Sequence, residues 1–80
     1  MPHQRTLRLV LPDGKALRLT VHYAKMLQRA QDGEIVRGIS LTSTDLRWAG
    51  MLRPTPLYAE DFSCTPLGSL ALKLYRLFAD

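Results

Sequence analysis

Two alternating apolar segments flank the Pro-Asp-Gly sequence at residues 12–14. Leucine occupies positions 7, 9 and 11 before this sequence, and Leu17, Leu19 and Val21 alternate with polar residues after it. A period of two is typical of strands that bury one face. The two segments therefore predict a β-hairpin over residues 6–21, with one apolar and one basic face.

The length of the turn decides which side chains of the hairpin pair. A two-residue loop would place Arg18 opposite Leu9 on the apolar face, which is unfavourable for a charged side chain. A three-residue loop with Gly14 in the left-handed conformation pairs Leu9 with Leu17 instead. We therefore predict the three-residue loop, in which Arg8 lies opposite Arg18 on the polar face.

The pattern changes after the hairpin. Apolar residues at helical spacing over positions 23–30 predict a short helix that ends at Gly33. Residues 34–41 and 45–48 then show the features of a third and a fourth strand. Residues 53–58 contain two prolines and are expected to run extended along the surface, because proline cannot donate to a central strand.

The last predicted element is a helix. Thr65 suits the N-cap and Pro66 suits the first helical position, so the helix is expected to run from there to about Phe78. A chain of 80 residues has room for one core, so a single small domain over residues 1–80 is expected. We predict the α+β class: a four-stranded, mainly antiparallel sheet in the chain order ββαββα, with the C-terminal helix packed on the sheet.

The predicted C-terminal helix carries more apolar residues than one buried face needs. One stripe is expected to cover the core, and Leu72 and Tyr75 extend the apolar surface around the helix. This excess predicts self-association, most simply a homodimer, or the binding of a protein partner. The candidate interaction residues are Trp48, Leu57, Tyr58, Leu72 and Tyr75.

Positive charge is concentrated in the first part of the chain. Residues 1–30 hold six lysines and arginines against one aspartate, whereas residues 31–80 hold five against six carboxylates. A basic strand face can attract nucleic acid or an acidic protein. The alternative function is therefore nucleic-acid binding, with candidate contacts at Arg5, Arg8, Lys15, Arg18 and His22.

No residue pattern indicates catalysis. The two histidines have no ligand partners at zinc spacing, the glycines do not form a phosphate-binding loop, and Cys64 is alone, so neither a metal nor a cofactor is expected. The single cysteine and a start without a signal-peptide pattern favour the cytoplasm, and no apolar run is long enough to predict a membrane span. The sequence thus predicts a non-catalytic binding or regulatory module.

The order of elements also resembles a family of small bacterial domains of unknown function. The pattern is a strand, Asp13-Gly14, a second strand leading through Tyr23 into a helix, and a strand that ends at Trp48. It covers about residues 6–58, and it departs from the family where Ala49 replaces a usual proline. Members often lie beside a toxin-like partner, so the resemblance implies an antitoxin-like or regulatory role. The opening ββα order also resembles a β-grasp domain, although no Gly-Gly tail follows.

Overall fold

The structure is a computed structural model that describes residues 5–58 and 61–79. The class is α+β, as predicted, with three helices and two antiparallel sheets in the described part. In chain order the elements are β1 (Leu7–Val10), β2 (Ala16–Leu19), α1 (Val21–Gln31), β3 (Val36–Arg37), α2 (Leu41–Trp48), β4 (Leu52–Pro54), β5 (Asp61–Cys64) and α3 (Pro66–Phe78).

The hairpin of β1 and β2 has the predicted three-residue loop. The Leu11 N–H donates to the Lys15 carbonyl at 2.7 Å, and Gly14 adopts a φ of 90°. Leucine pairs with leucine on the inner face, while Arg8 lies opposite Arg18 on the exposed face. The register prediction is therefore confirmed.

The strands do not form the predicted single four-stranded sheet. β1 and β2 form one sheet, and a second sheet has the order β3-β5-β4. The predicted third strand over residues 34–41 shortens to Val36–Arg37, and the central strand β5 was not predicted. Pro54 lies in β4 at an edge of the second sheet, where a missing N–H is tolerated.

The predicted fourth strand over residues 45–48 is wrong, because these residues belong to α2. The Ser40 hydroxyl accepts a hydrogen bond from the Ser43 N–H at 3.1 Å, and the Ser43 hydroxyl accepts one from the Ser40 N–H at 2.8 Å. This reciprocal cap starts a helix at Leu41. Leu46 is buried and Trp48 is exposed, as expected for positions two apart on a helix.

Two glycines end the first two helices and turn the chain back towards the core. Gly33 (φ 94°) follows α1 at the predicted place, and Gly50 (φ 79°) follows α2. The residue after each glycine donates a backbone hydrogen bond to the preceding helix. The Glu34 N–H donates to the Arg29 carbonyl at 3.0 Å, and the Met51 N–H donates to the Leu46 carbonyl at 2.9 Å. Both exits are Schellman motifs, which glycine favours because it accepts a positive φ.

The helix α3 begins as predicted, with the Thr65 hydroxyl accepting from the Gly68 N–H at 3.2 Å and Pro66 in the first turn. Its buried side differs from the predicted stripe, since Leu72 and Tyr75 face the core. A Cβ on Gly68 would overlap the carbonyl oxygen of Met51, the residue before β4, so this side of α3 approaches that backbone more closely than a larger residue would permit.

The core draws on every layer of the fold. Its buried apolar residues share contacts across the hairpin, all three helices and the second sheet: Leu11, Leu19, Ala24, Leu27, Ala30, Leu46, Ala49, Met51, Leu52, Phe62, Ala71, Leu72 and Tyr75.

Candidate interaction surface

Two of the five predicted interaction residues are inside the fold. Leu72 is 2% exposed and Tyr75 is 6% exposed. The Tyr75 hydroxyl donates to the Arg5 carbonyl at 2.9 Å, which joins α3 to the segment before β1. These side chains stabilise the fold and do not lie on the outer surface of α3, contrary to the expectation from the sequence.

The outer side of α3 is nonetheless apolar. Leu70, Leu77 and Phe78 are 53%, 63% and 64% exposed, and we call these three residues the α3 surface. Lys73 and Arg76 are exposed on the same helix, and α3 contains no acidic residue. The outer side of α3 therefore combines the exposed apolar area of the α3 surface with positive charge from Lys73 and Arg76.

An apolar groove continues from this helix to the hairpin. It has a volume of about 220 Å³, and we call it the β1–α3 groove. Its walls are the end of β1 with the turn that follows and the first half of α3, and Met51 lies between them: Leu9, Val10, Leu11, Pro12, Met51, Leu67, Leu70, Ala71 and Leu74. Leu70 is common to the groove and the α3 surface, so the two form one continuous feature.

Trp48 extends this feature on the side of the turn. It lines a second, smaller cavity that shares Leu11, Pro12 and Leu67 with the β1–α3 groove. The Lys15 ammonium lies 4.6 Å from the centroid of the Trp48 ring and donates to the Trp48 carbonyl at 3.3 Å. Lys15 thus holds the ring by a cation–π contact while it also interacts favourably with the C-terminal end of α2.

Asp13 completes the arrangement around Lys15. Its carboxylate lies 3.2 Å from the Lys15 ammonium and accepts a hydrogen bond from the Lys15 backbone N–H at 3.1 Å. The backbone hydrogen bond is the main cause that lowers the pKa of Asp13, and the ammonium contributes in the same direction. The turn is therefore stabilised when the Asp13 carboxyl group is ionised.

Leu57 and Tyr58 are exposed, at 85% and 59%, but they lie outside the groove. Tyr58 lines a separate cavity of about 530 Å³ with Ile39 and with the ion pair of Arg37 and Asp61, whose charged atoms are 3.8 Å apart. The predicted interaction residues thus divide into two buried residues, Trp48 beside the groove, and this exposed pair.

The predicted anion contacts are also separated. Arg5 donates from its side chain to the carbonyls of Arg76 and Ala79, both at 3.3 Å, so it caps the end of α3. Lys15 is engaged with Trp48, as described. His22 lies in the first turn of α1 and not on the strand where the sequence placed it.

Only Arg8 and Arg18 keep the predicted arrangement. They form a cross-strand pair, and both are exposed on the outer face of the hairpin. Two like charges placed directly opposite each other repel, so an anion near this pair would relieve an unfavourable interaction.

A polar contact between α1 and α2 was not predicted from the sequence. The Tyr23 hydroxyl donates to Oδ2 of Asp45 at 2.6 Å, and the hydrogen bond to Asp45 is the main cause that raises the pKa of Tyr23. A helix prediction for residues 41–48 would have indicated this contact, because it places Asp45 on a helix that can pack beside α1.

The described residues contain no metal-binding arrangement of three or more His, Cys, Asp or Glu side chains. Within the same ranges, no helix has the length and apolar character needed to cross a membrane. The Cys64 thiol lies 3.6 Å from the Ser69 hydroxyl, where the N-terminal turn of α3 follows β5.

Comparison of the chain with protein-family models, with curated proteins and with solved structures finds no match.

Proposed function

We propose that this chain is a non-catalytic protein-interaction or regulatory module that binds a protein partner through the outer side of α3. The observation that carries the proposal is the exposure of Leu70, Leu77 and Phe78 on one helix whose opposite side is buried. Contiguous exposed apolar area of this kind marks interaction sites on small soluble domains.

The surroundings of the α3 surface support the same function. The β1–α3 groove adds a concave apolar region, and Trp48 lies at its far end next to Pro12. Interfaces typically combine a buried aromatic or aliphatic centre with a polar rim, and Lys73 and Arg76 supply charged positions on the same helix. The resemblance to the bacterial family adds an antitoxin-like or regulatory role to this proposal, and the single cysteine favours the cytoplasm as its location.

The test is site-specific photo-crosslinking in cells, followed by reconstitution. A photoreactive residue at position 77 should crosslink to a defined protein, or to a second copy of the chain, whereas the same residue at position 57 should not. The captured protein is then purified and its affinity measured with Leu77→Ser/Phe78→Ser. We expect at least about a tenfold loss of affinity, because two apolar side chains leave the interface.

The control is Leu57→Ser, which removes an exposed leucine away from α3. Its affinity should equal that of the unmodified chain. Equal losses for both variants, or purified proteins that do not bind each other, would refute the role of the α3 surface.

The second candidate function is nucleic-acid binding, and the Arg8–Arg18 pair is the observation that favours it. Fluorescence anisotropy with a short DNA duplex at increasing salt is the test. Arg8→Gln should lower the salt slope of binding by about one, and Arg53→Gln, on β4, should leave it unchanged. Absence of binding at low salt would exclude this function.

A further inference from the structure

We propose that the partner binds as an extended segment that adds a strand to the outer edge of β1, and that acidic residues alternate with apolar ones in this segment. This inference rests on the proposed function, because one wall of the site is α3. It specifies the kind of partner and the geometry of its docking.

The backbone of β1 directs hydrogen-bonding groups to the outer edge of the hairpin. The Leu11 N–H donates to the Lys15 carbonyl, which fixes the hydrogen-bonded pairs of the ladder. Between two antiparallel strands, hydrogen-bonded residue pairs alternate with residue pairs whose N–H and C=O groups point away from the partner strand. Arg8 and Val10 belong to the second kind, so their backbone groups point to the outer edge.

The described residues supply no further strand at that edge, because the hairpin sheet consists of β1 and β2 alone. An added strand could exchange hydrogen bonds with Arg8 and with Val10. Exposed strand edges are recognised in this way by extended peptides, whose affinity comes from main-chain hydrogen bonds and whose specificity comes from alternate side chains.

The β1–α3 groove lies beside the same strand. Leu9 and Leu11 belong to the inner face of the hairpin and Val10 to its outer face, yet all three line the groove. A cavity bordered by both faces of a strand runs along its edge. A strand added there would direct every second side chain towards Leu67 and Leu70 of α3, which favours apolar residues at those positions.

The elements around this edge carry positive charge. The other side chains of the added strand would lie on the outer face, beside Arg8 and near Arg18. The elements β1, β2 and α3 together contain two arginines on the hairpin, Lys73 and Arg76, and no carboxylate. Acidic residues at the outward positions would therefore compensate the repulsion between Arg8 and Arg18.

Charge repulsion disfavours a second copy of this chain as the added strand. Antiparallel pairing of β1 with itself would bring the Arg8–Arg18 pairs of both copies onto one continuous face. Four guanidinium groups without carboxylates would then adjoin one another, which is unfavourable. An acidic segment gives the opposite sign of interaction.

The probe is a blocked synthetic peptide of about eight residues in which glutamate alternates with valine, long enough to form a short strand. Its affinity is measured by calorimetry, and its binding site by amide hydrogen exchange of the full chain. We expect the amides of Arg8 and Val10 to become protected, and we expect affinity to fall with salt. A peptide with lysine in place of glutamate should bind at least about tenfold more weakly.

The matched variants are Val10→Pro and Ala16→Pro, two facing positions of the hairpin. Proline at position 10 removes an N–H from the outer edge of β1, and proline at position 16 removes one from the opposite edge of β2. Val10→Pro should weaken binding about three- to tenfold, as the loss of one backbone hydrogen bond predicts, whereas Ala16→Pro should not. Circular dichroism checks that both variants fold. The hydrogen-exchange experiment uses the unmodified chain, so its result does not depend on the folding of either variant.

Three outcomes would overturn the inference: no binding of the acidic peptide, equal binding of the lysine peptide, or binding without protection of Arg8 and Val10. A dimer detected by light scattering and abolished by Val10→Pro would also overturn it, since the added strand would then be a second copy. The proposed function fails separately, if Leu77→Ser/Phe78→Ser has no effect on the captured partner.

Discussion

The Tyr23 hydroxyl and the Asp45 carboxylate form a hydrogen bond of 2.6 Å that ties α1 to α2. The pKa of Tyr23 rises above its ordinary value of 10.0, first because this hydrogen bond favours the protonated phenol, then because of burial and the charge of Asp45. The contact therefore links the stability of the fold to alkaline pH.

We expect Tyr23→Phe to lower the free energy of unfolding by about 1–2 kcal/mol at neutral pH, because a hydrogen bond to a charged acceptor is lost. The folded chain holds the phenolic proton more tightly than the unfolded chain. This stabilisation is thus present below pH 10.0, the ordinary pKa, and is lost as the pH rises through the raised pKa.

Denaturant unfolding of both proteins at neutral and alkaline pH measures this difference. The gap between them should narrow as the phenolate forms. Tyr58→Phe, at an exposed tyrosine, is the control and should change the stability little at neutral pH. A difference in unfolding free energy that stays constant with pH would show that Asp45 does not accept a hydrogen bond from the Tyr23 hydroxyl in the folded chain.

Gly68→Ala should destabilise the fold by about 1–3 kcal/mol, although alanine normally stabilises a helix by about 1 kcal/mol relative to glycine. The added Cβ would overlap the Met51 carbonyl oxygen and would lie 2.9 Å from the Cys64 sulfur. Thermal unfolding monitored by circular dichroism measures the effect. Lys73→Ala on the exposed side of α3 should stay within about 0.5 kcal/mol, and a stabilised Gly68→Ala would contradict the close packing.

The orientation of α3 is tested by comparing Leu72→Ala with Leu77→Ala. Leu72 is 2% exposed and Leu77 is 63% exposed. The first substitution leaves a cavity and should cost about 2–5 kcal/mol, whereas the second should change the stability by less than about 0.5 kcal/mol. Urea unfolding gives both values, and similar costs would mean that the helix is rotated from the position described.

Lys15→Met should change the environment of Trp48, the one tryptophan of the chain. Removal of the ammonium ends the cation–π contact and the hydrogen bond to the Trp48 carbonyl, at a cost of about 0.5–1 kcal/mol. Tryptophan emission and its quenching by acrylamide are the measurements. Lys25→Met on α1 is the matched control, and identical spectra for all three proteins would exclude the contact.

The parts of the fold that the sequence predicted are those set by local rules. The hairpin register follows from the turn length and from Gly14, and the start of α3 follows from Thr65 and Pro66. Each signal lies within a few residues of the structure that it determines. No distant contact was needed to interpret it.

The predictions that were wrong concern features that depend on contacts between distant segments. Leu46 and Trp48 fit a strand as well as a helix, and the Ser40 cap that decides for the helix precedes them by several residues. The side of α3 that is buried could not be inferred from hydrophobicity, because apolar residues cover more of the helix than one buried face needs. Gly68 decides it, through a close approach to Met51 that only the folded chain shows.

The hydrogen bond from the Tyr75 hydroxyl to the Arg5 carbonyl joins residues 70 positions apart. Arg5 in turn caps α3 and lies with its guanidinium carbon 5.6 Å from the centroid of the Tyr75 ring. During synthesis on the ribosome, the hairpin emerges long before α3 and has no stable place to pack until that helix follows. Folding is therefore delayed until translation has passed α3, and a chain that stalls earlier would expose the apolar inner face of the hairpin to its neighbours.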